Sequence, residues 1–332
     1  MHGMYVHALG HFHPENVITN GFLEELGIET NAQWILDRVG IHTRHTVLPL
    51  DYIRATRNKD VRGALEAQLY SNAETGKRAS LMALERAGLK AADIGLVVAG
   101  GCSPDECIPA QACRVAEALE IDAPSLDIAS ACSSFCAQLY FLDSMRPERL
   151  PDFVLVVNPE NSTRVVDYSD RSSCILWGDG TTAAIVSPRI PGPWTVRHTL
   201  LRGDPSGADK VKVPASGHFT QQGAAVQAFA IKKCGETFME LAREWVARGG
   251  SRSELALIGH QANLKMLESV ARRAEVPPGL HLYNVDRRGN TGAAGAPSVL
   301  SERWGDPSLP RALGISVVGS GLTWAGALLE RT

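Results

Sequence analysis

Residues 126–137 read Leu126-Asp127-Ile128-Ala129-Ser130-Ala131-Cys132-Ser133-Ser134-Phe135-Cys136-Ala137. A strand-like apolar run from Pro124 to Ile128 passes through small residues into a helix-like segment, Phe135 to Met145. A strand feeding straight into a helix is the unit of α/β layering. The elbow between them puts Cys132 at the positive end of the helix dipole, where the nucleophilic thiolate is favoured. Ala129, Ser130, Ala131 and Ser133 are small enough to let a substrate carbonyl reach the sulfur. The competing reading is a small buried hydrophobe, the commonest use of a free cysteine.

The same strand–helix rhythm extends both ways from the elbow. Helical spacing runs over Asn72–Ala87, ending at Gly88, and over Pro109–Glu120; strand patterns cover Ile94–Ala99, Phe153–Val157 and Thr181–Val186. After the turn-rich stretch Pro188–Pro193 the rhythm restarts. Strands are expected at Trp194–His198, Leu255–Gly259, His281–Val285, Ala312–Val318 and Ala325–Leu329, with helices at Ala224–Ala247, Asn263–Ala274 and Ala293–Glu302. The division is therefore residues 1–188 and 189–332. Laid on one another, the strand before Cys132 matches the strand before Asn290, and the strand before Gly100 matches the strand before His260. Phe153–Val157 matches Ile315–Val318. A duplicated α/β unit would gather equivalent strand ends, where chemistry in such folds usually sits.

His260 opens Gly259-His260-Gln261-Ala262-Asn263, and Asn290 lies in Gly289-Asn290-Thr291-Gly292. Each has a plain alternative: a strand-end histidine satisfied by its neighbours, and a left-handed turn asparagine. Together with Cys132 they suggest thioester chemistry. The thiolate would attack an acyl thioester, and the imidazole and carboxamide would hold the carbonyl oxygen of a second substrate, as an oxyanion hole does.

Composition narrows the alternatives. A net charge of −3 gives no electrostatic argument for nucleic acid or an acidic membrane. No apolar run approaches the roughly 20 residues that cross a bilayer. The first seven residues lack the pattern of a signal peptide. Seven irregularly spaced cysteines do not read as a disulfide framework, so a reducing cytoplasm is the expected location. Cys102, Cys107 and Cys113 carry no CxxC pair, and no metal site is expected.

The chain resembles the thiolase-fold ketosynthases, most closely β-ketoacyl-acyl-carrier-protein synthase III. The likeness runs through Gln33-Trp34-Ile35 and Arg38-Val39-Gly40-Ile41, the Ser130-Ala131-Cys132 elbow, Gly178-Asp179-Gly180, His260-Gln261-Ala262-Asn263-Leu264, Gly289-Asn290-Thr291 and Gly319-Ser320-Gly321-Leu322-Thr323-Trp324. It implies an α/β thiolase fold, duplicated units in a five-layer αβαβα architecture, and a homodimer. Cys132 would be the acylated nucleophile, His260 and Asn290 the condensation pair, and the amides of Cys132 and Ser320 the oxyanion hole. Trp34 and Arg171 would flank the adenine of coenzyme A, Arg38 would stand at the same mouth, and Asn263 would line the pantetheine channel. Trp177 would wall the acyl tunnel, and Ile108 would help wall that of the partner subunit. No cofactor is expected to reside permanently: the phosphopantetheine thioester of acyl carrier protein, or of coenzyme A, is substrate. For Trp34 and Arg171 the alternatives are a helix-face core residue and a surface ion-pair partner. Lys232, Lys233 and Lys265 would steer an acidic carrier protein or form solvated helix faces.

Three departures shape the functional expectation. The segment Leu48–Ser71 is longer than in the fatty-acid enzyme and would remodel the tunnel, make a protein contact or merely elaborate the surface. Gly223-Ala224 stands where the family has Gly-Asn, which favours a carrier-bound donor over free coenzyme A. Glu106, two residues before Ile108 on a loop that crosses the dimer interface in the family, is similar to the acidic residue of pyrone-forming ketosynthases. That group includes the enzymes joining chains in antibiotics of the myxopyronin and corallopyronin type. Glu106 held in apolar surroundings would be a general base; the plain alternative is an exposed acid complementing the helix after Pro109. The expected activity is Claisen-type joining of two β-ketoacyl polyketide chains to an α-pyrone. Decarboxylative condensation with malonyl-carrier protein is the main rival, followed by acyl transfer to oxygen or nitrogen and by a non-catalytic partner subunit.

Overall fold

The computed structural model describes residues 3–332. Leu255–Gly259 and, but for Ser316, Ala312–Gly319 are apolar runs buried along their whole length, the signature of parallel strands covered on both faces. They pair in parallel, as do Leu96–Ala99 and Val154–Glu160. One ten-stranded sheet results, in the order His281–Leu282, Leu255–Gly259, Ala312–Gly319, Thr323–Arg331, Trp194–Gly203, Met4–Phe12, Gly180–Ser187, Val154–Glu160, Leu96–Ala99, Ser125–Asp127. Read inward from its two edges, the order is mirrored. The strand before the Cys132 elbow and the strand before Asn290 are outermost, and the strands before Gly100 and before His260 come next. At the centre the halves meet through three residue pairs, Met4 with Val196, Tyr5 with Thr195 and Val6 with Trp194.

Alternation along each strand sorts side chains into layers. Ala256 and Ile258 join Val154 and Val156 in an inner core with Phe135, Leu139, Val299 and Leu300, so helices Ser134–Ser144 and Gly295–Glu302 lie between the half-sheets. Leu255 and Leu257 face outward onto Phe238, Leu241, Met266 and Val270 of the helices Gly223–Ala247 and Leu264–Arg273. Val97, Leu155 and Val157 face outward onto Ala79, Ala83, Val115 and Leu119 of the helices Asn72–Ala87 and Gln111–Leu119. Five layers, αβαβα, follow from these three cores.

Local chemistry sets the helix limits. Ser71 and Glu74 form a capping box, and Gly88 closes that helix at φ 67°. Asn263 caps Leu264–Arg273 by accepting from the Met266 amide at 2.8 Å. One expectation needs correction: the strand at 281–285 is only His281–Leu282, followed by a short helix, Val285–Arg288. The reason is Gln261, whose Oε1 accepts from the Asn284 and Val285 amides and pulls the chain out of the sheet.

The segment 48–71 forms two short helices, Leu50–Thr56 and Val61–Ala67. Asn58 staples it down, donating to the carbonyls of Arg164 and Val166 at 2.8 and 2.9 Å. Among the described residues no helix is long and apolar enough to cross a membrane.

Candidate active site

The Cys132 elbow is built by serines. Ala131 adopts φ 47°, in the left-handed region an L-residue seldom visits. The turn is held by Ser134 Oγ, which donates to the Ala131 carbonyl at 2.6 Å and accepts from the Ser130 amide at 2.9 Å. Ser133, at the start of the helix that follows, turns its hydroxyl back to donate to the Ser130 carbonyl at 2.7 Å. Thr323 Oγ1 lies 2.9 Å from Ser133 Oγ and 3.1 Å from Ser130 Oγ, tying the elbow to a strand of the other half. Gly319 is required here, because a Cβ would come within 2.4 Å of the Ser130 carbonyl oxygen.

His260 follows its strand directly and is buried. Burial alone pushes its pKa down to about 4, so the ring is neutral at ordinary pH and acts as a hydrogen-bonding group, not a cation. Gln261 fixes the turn, donating to the Gly259 carbonyl at 2.7 Å.

Asn290 is not a left-handed turn residue; the positive φ, 70°, belongs to Gly289. Its backbone bridges to Trp177, accepting from the Gly178 amide at 3.0 Å and donating to the Leu176 carbonyl at 2.8 Å. Its Oδ1 accepts from the Gly292 amide at 3.0 Å. That bond fixes the carboxamide and leaves Nδ2 as the group that can donate to a ligand.

Cys132, His260, Asn290 and Ser320 line one cavity of about 740 Å³. Ile175, Trp177, Phe219, Met266 and Leu322 supply apolar wall. Trp177 is buried and packs edge-on against Phe219 with ring centroids 4.7 Å apart. The mouth carries Trp34, Arg38, Arg171, Asn263 and Lys265. Two guanidinium groups flank the Trp34 ring, Arg38 at 5.6 Å and Arg171 at 5.3 Å from its centroid. Asn263 therefore both caps its helix and faces the channel. Lys233 instead pairs with Glu236 and lies over Trp324. No residue of 48–71 reaches the cavity wall.

Glu106 and Ile108 lie elsewhere. Glu106 is exposed and paired with Arg114 of the same chain through two bonds, at 2.9 and 3.1 Å. The apolar surroundings expected for a base are therefore absent around it within the chain. Ile108 is 85% exposed and outside the cavity of its own chain. The cause is Asp105, which pairs with buried Arg164 and accepts from the Asn72 amide. It pins the loop base and sends residues 106–109 outward.

Sequence reasoning passed over Cys102 as a neighbour of Cys132, and over Glu160 behind it. Cys102 Sγ lies 3.6 Å from Cys132 Sγ. Glu160, fully buried, accepts from the amides of Cys102 and Ala293, at 3.0 and 2.8 Å. The signal for Glu160 was a carboxylate closing the otherwise uncharged run Val154-Leu155-Val156-Val157-Asn158-Pro159. Asp179 of the Gly-Asp-Gly motif is structural, accepting from the amides of Val47 and Thr163 at 2.7 and 2.8 Å.

Comparison with known proteins agrees with this geometry. A family model described as 3-oxoacyl-[acyl-carrier-protein] synthase III matches residues 126–205, and its C-terminal counterpart matches 249–331. The beta-ketoacyl-[acyl-carrier-protein] synthase III of Roseiflexus sp. (strain RS-1) is 32% identical, over 96% of this chain and 95% of that protein. The crystal structure of 3-oxoacyl-[acyl-carrier-protein] synthase III from Aquifex aeolicus VF5 superposes with a TM-score of 0.86 at 26% identity, covering 99% of this chain and all (100%) of the other. The priming β-ketosynthase of the R1128 polyketide pathway gives 0.84 at 26% identity, covering 99% and 96%.

Proposed function

This chain belongs to the 3-oxoacyl-[acyl-carrier-protein] synthase III family and is a condensing acyltransferase; from that premise we propose that Cys132 takes an acyl group from a thioester and passes it to the carbon of a second, carrier-bound thioester. The observation that carries this is the meeting of Cys132, His260 and Asn290 around one cavity, from three separate segments of the chain.

The chemistry follows from the groups. The Cys132 sulfur attacks the thioester carbon, the amides of Cys132 and Ser320 hold the oxyanion, and the pantetheine sulfur leaves. A malonyl thioester then enters and loses carbon dioxide. Its enolate oxygen is held by the neutral His260 ring and by Asn290 Nδ2. The enolate carbon attacks the acyl group, a carbon–carbon bond forms and the carbon–sulfur bond to Cys132 breaks. The pantetheine arm is substrate, and Trp34, Arg38, Arg171 and Asn263, which line the same cavity, would receive it. An acidic carrier protein is the fitting partner for a mouth bearing Arg38, Arg171 and Lys265.

A homodimer belongs to this proposal. Ser125–Asp127 ends the sheet with one edge unpaired, and Leu126, Phe141 and Met145 are exposed beside it, with Ile108 projecting from the preceding loop. Edges and apolar patches of this kind mark interfaces. The projecting 106–109 loop also favours a narrower reading. A second copy of the chain would deliver Glu106 to this cavity as a base, once freed from Arg114. Two β-ketoacyl chains would then be joined and closed to an α-pyrone. The purified protein with an acyl-CoA and malonyl-carrier protein, or with two β-ketoacyl-carrier thioesters, separates the two readings by product mass. A β-ketoacyl-carrier product supports decarboxylative condensation and a pyrone supports joining; formation of neither would overturn the proposal.

A further inference from the structure

We propose that Cys102 and Glu160 form a proton relay serving the nucleophile, in which the Cys132 thiol gives its proton to Cys102 as Cys102 gives its own to the Glu160 carboxylate. The inference rests on the reading of Cys132 as nucleophile and adds what deprotonates it.

Two contacts carry it. Cys102 Sγ lies 3.6 Å from Cys132 Sγ, and the Cys102 amide donates to both Glu160 carboxylate oxygens, at 3.1 and 3.0 Å, which holds that carboxylate against the residue bearing the thiol. Glu160 is buried without exposure, and its cradle is built for a carboxylate. The amides of Cys102 and Ala293 and the Ser162 hydroxyl donate to it. Gly292 and Gly101 leave its space open; a Cβ on Gly292 would stand 2.4 Å from Oε1, and one on Gly101 3.2 Å from the carboxyl carbon. The groups facing the carboxylate are Cys102, Ser162 and the Ala293 amide, none of them basic. Burial pushes its pKa up to about 7, so it exchanges a proton near neutrality. The other candidate base at the cavity floor is His260, and burial has lowered its pKa to about 4, which makes it a poor acceptor.

The step balances. As the Cys132 sulfur forms its bond to the acyl carbon, its S–H proton moves to Cys102, the Cys102 proton moves to Glu160, and the departing pantetheine thiolate is protonated by solvent at the mouth. When condensation breaks the carbon–sulfur bond, Cys132 leaves as a thiolate and the proton held on Glu160 returns along the same path. Cys102 touches the reacting sulfur and is catalytic in this account; Glu160 acts through it.

Iodoacetamide tests the relay without any natural substrate, since alkylation needs only the Cys132 thiolate. Its rate at Cys132 is followed by peptide mass spectrometry from pH 5.5 to 9. For the unaltered protein the rate rises through an inflection near pH 7, from Glu160. Cys102→Ala loses that inflection and slows about tenfold at pH 7.5, because an unassisted thiol is only about one-tenth ionised there. Cys102→Ser restores the rate to within about threefold, since a hydroxyl passes a proton as a thiol does and a methyl does not. Glu160→Gln behaves as Cys102→Ala; should it fail to fold, the two Cys102 variants decide alone. Superimposable profiles for the unaltered protein and Cys102→Ala overturn the relay, as does a serine variant as slow as the alanine one. Loss of acyl transfer with the alkylation profile intact would instead count against the proposed function.

Discussion

Replacing His260 by asparagine tests the electrostatic character of the cavity floor, because asparagine is polar but does not titrate. Burial lowers the His260 pKa from 6.5 to about 4 in the folded chain. The folded state therefore binds fewer protons than the unfolded state between those two values, and stability falls as pH falls. Above pH 6.5 the ring is neutral in both states and there is no penalty. Between pH 6.5 and about 4 the loss accumulates at about 1.4 kcal/mol per pH unit, reaching about 3 kcal/mol, and it stays constant below. His11, His13, His45 and His281 are shifted the same way by burial, so the total curve is not diagnostic. The difference between the unaltered protein and His260→Asn is. Urea unfolding followed by tryptophan fluorescence at half-unit steps from pH 7.5 to 4 gives that difference directly. It should move by about 3 kcal/mol against the unaltered protein as pH drops. A difference that stays flat would mean that His260 is solvated or paired in the folded state, and the neutral-donor account of the site would fall.

Two further outcomes are expected. Asp179→Ala leaves the buried amides of Val47 and Thr163 without their acceptor, and should cost about 3 kcal/mol of unfolding free energy; a change under about 1 kcal/mol would show that those amides find another partner. Phe141→Glu places a charge among Leu126, Phe141 and Met145, and light scattering should show half the mass of the unaltered protein, because a buried unpaired charge costs several kcal/mol. Equal masses would place any subunit contact elsewhere.

Much of this molecule can be read from its residues. Unbroken apolar strands such as Leu255–Gly259 and the capped helix Asn72–Ala87 carry strong local signals, and both stand where the periodicity puts them. The mirrored strand order also follows from matching the two elbows. The central strand Met4–Phe12 carries a weaker signal: Met4, Val6 and Ala8 alternate with Tyr5 and His7, but the consecutive buried residues Ala8, Leu9 and Gly10 interrupt the pattern, and its place comes from pairing with Gly180–Ser187 and Trp194–Gly203. Long-range pairing of that sort leaves little local trace. Glu106 shows the same limit at the site. A loop acid between two prolines has no intrinsic direction, and within the chain Asp105 with Arg164 and Glu106 with Arg114 orient it. Cys102 meets both Cys132 and Glu160 only because three parallel strands end side by side.

The central claim is tested most directly by the mass of the protein after incubation with an acyl-CoA and no second substrate. One acyl group should be gained, mapped to Cys132 and absent from Cys132→Ala. Asn290→Ala should still take up the acyl group, yet form condensation product at least about a hundredfold more slowly. An unmodified Cys132, or an adduct on another of the seven cysteines, would contradict the account.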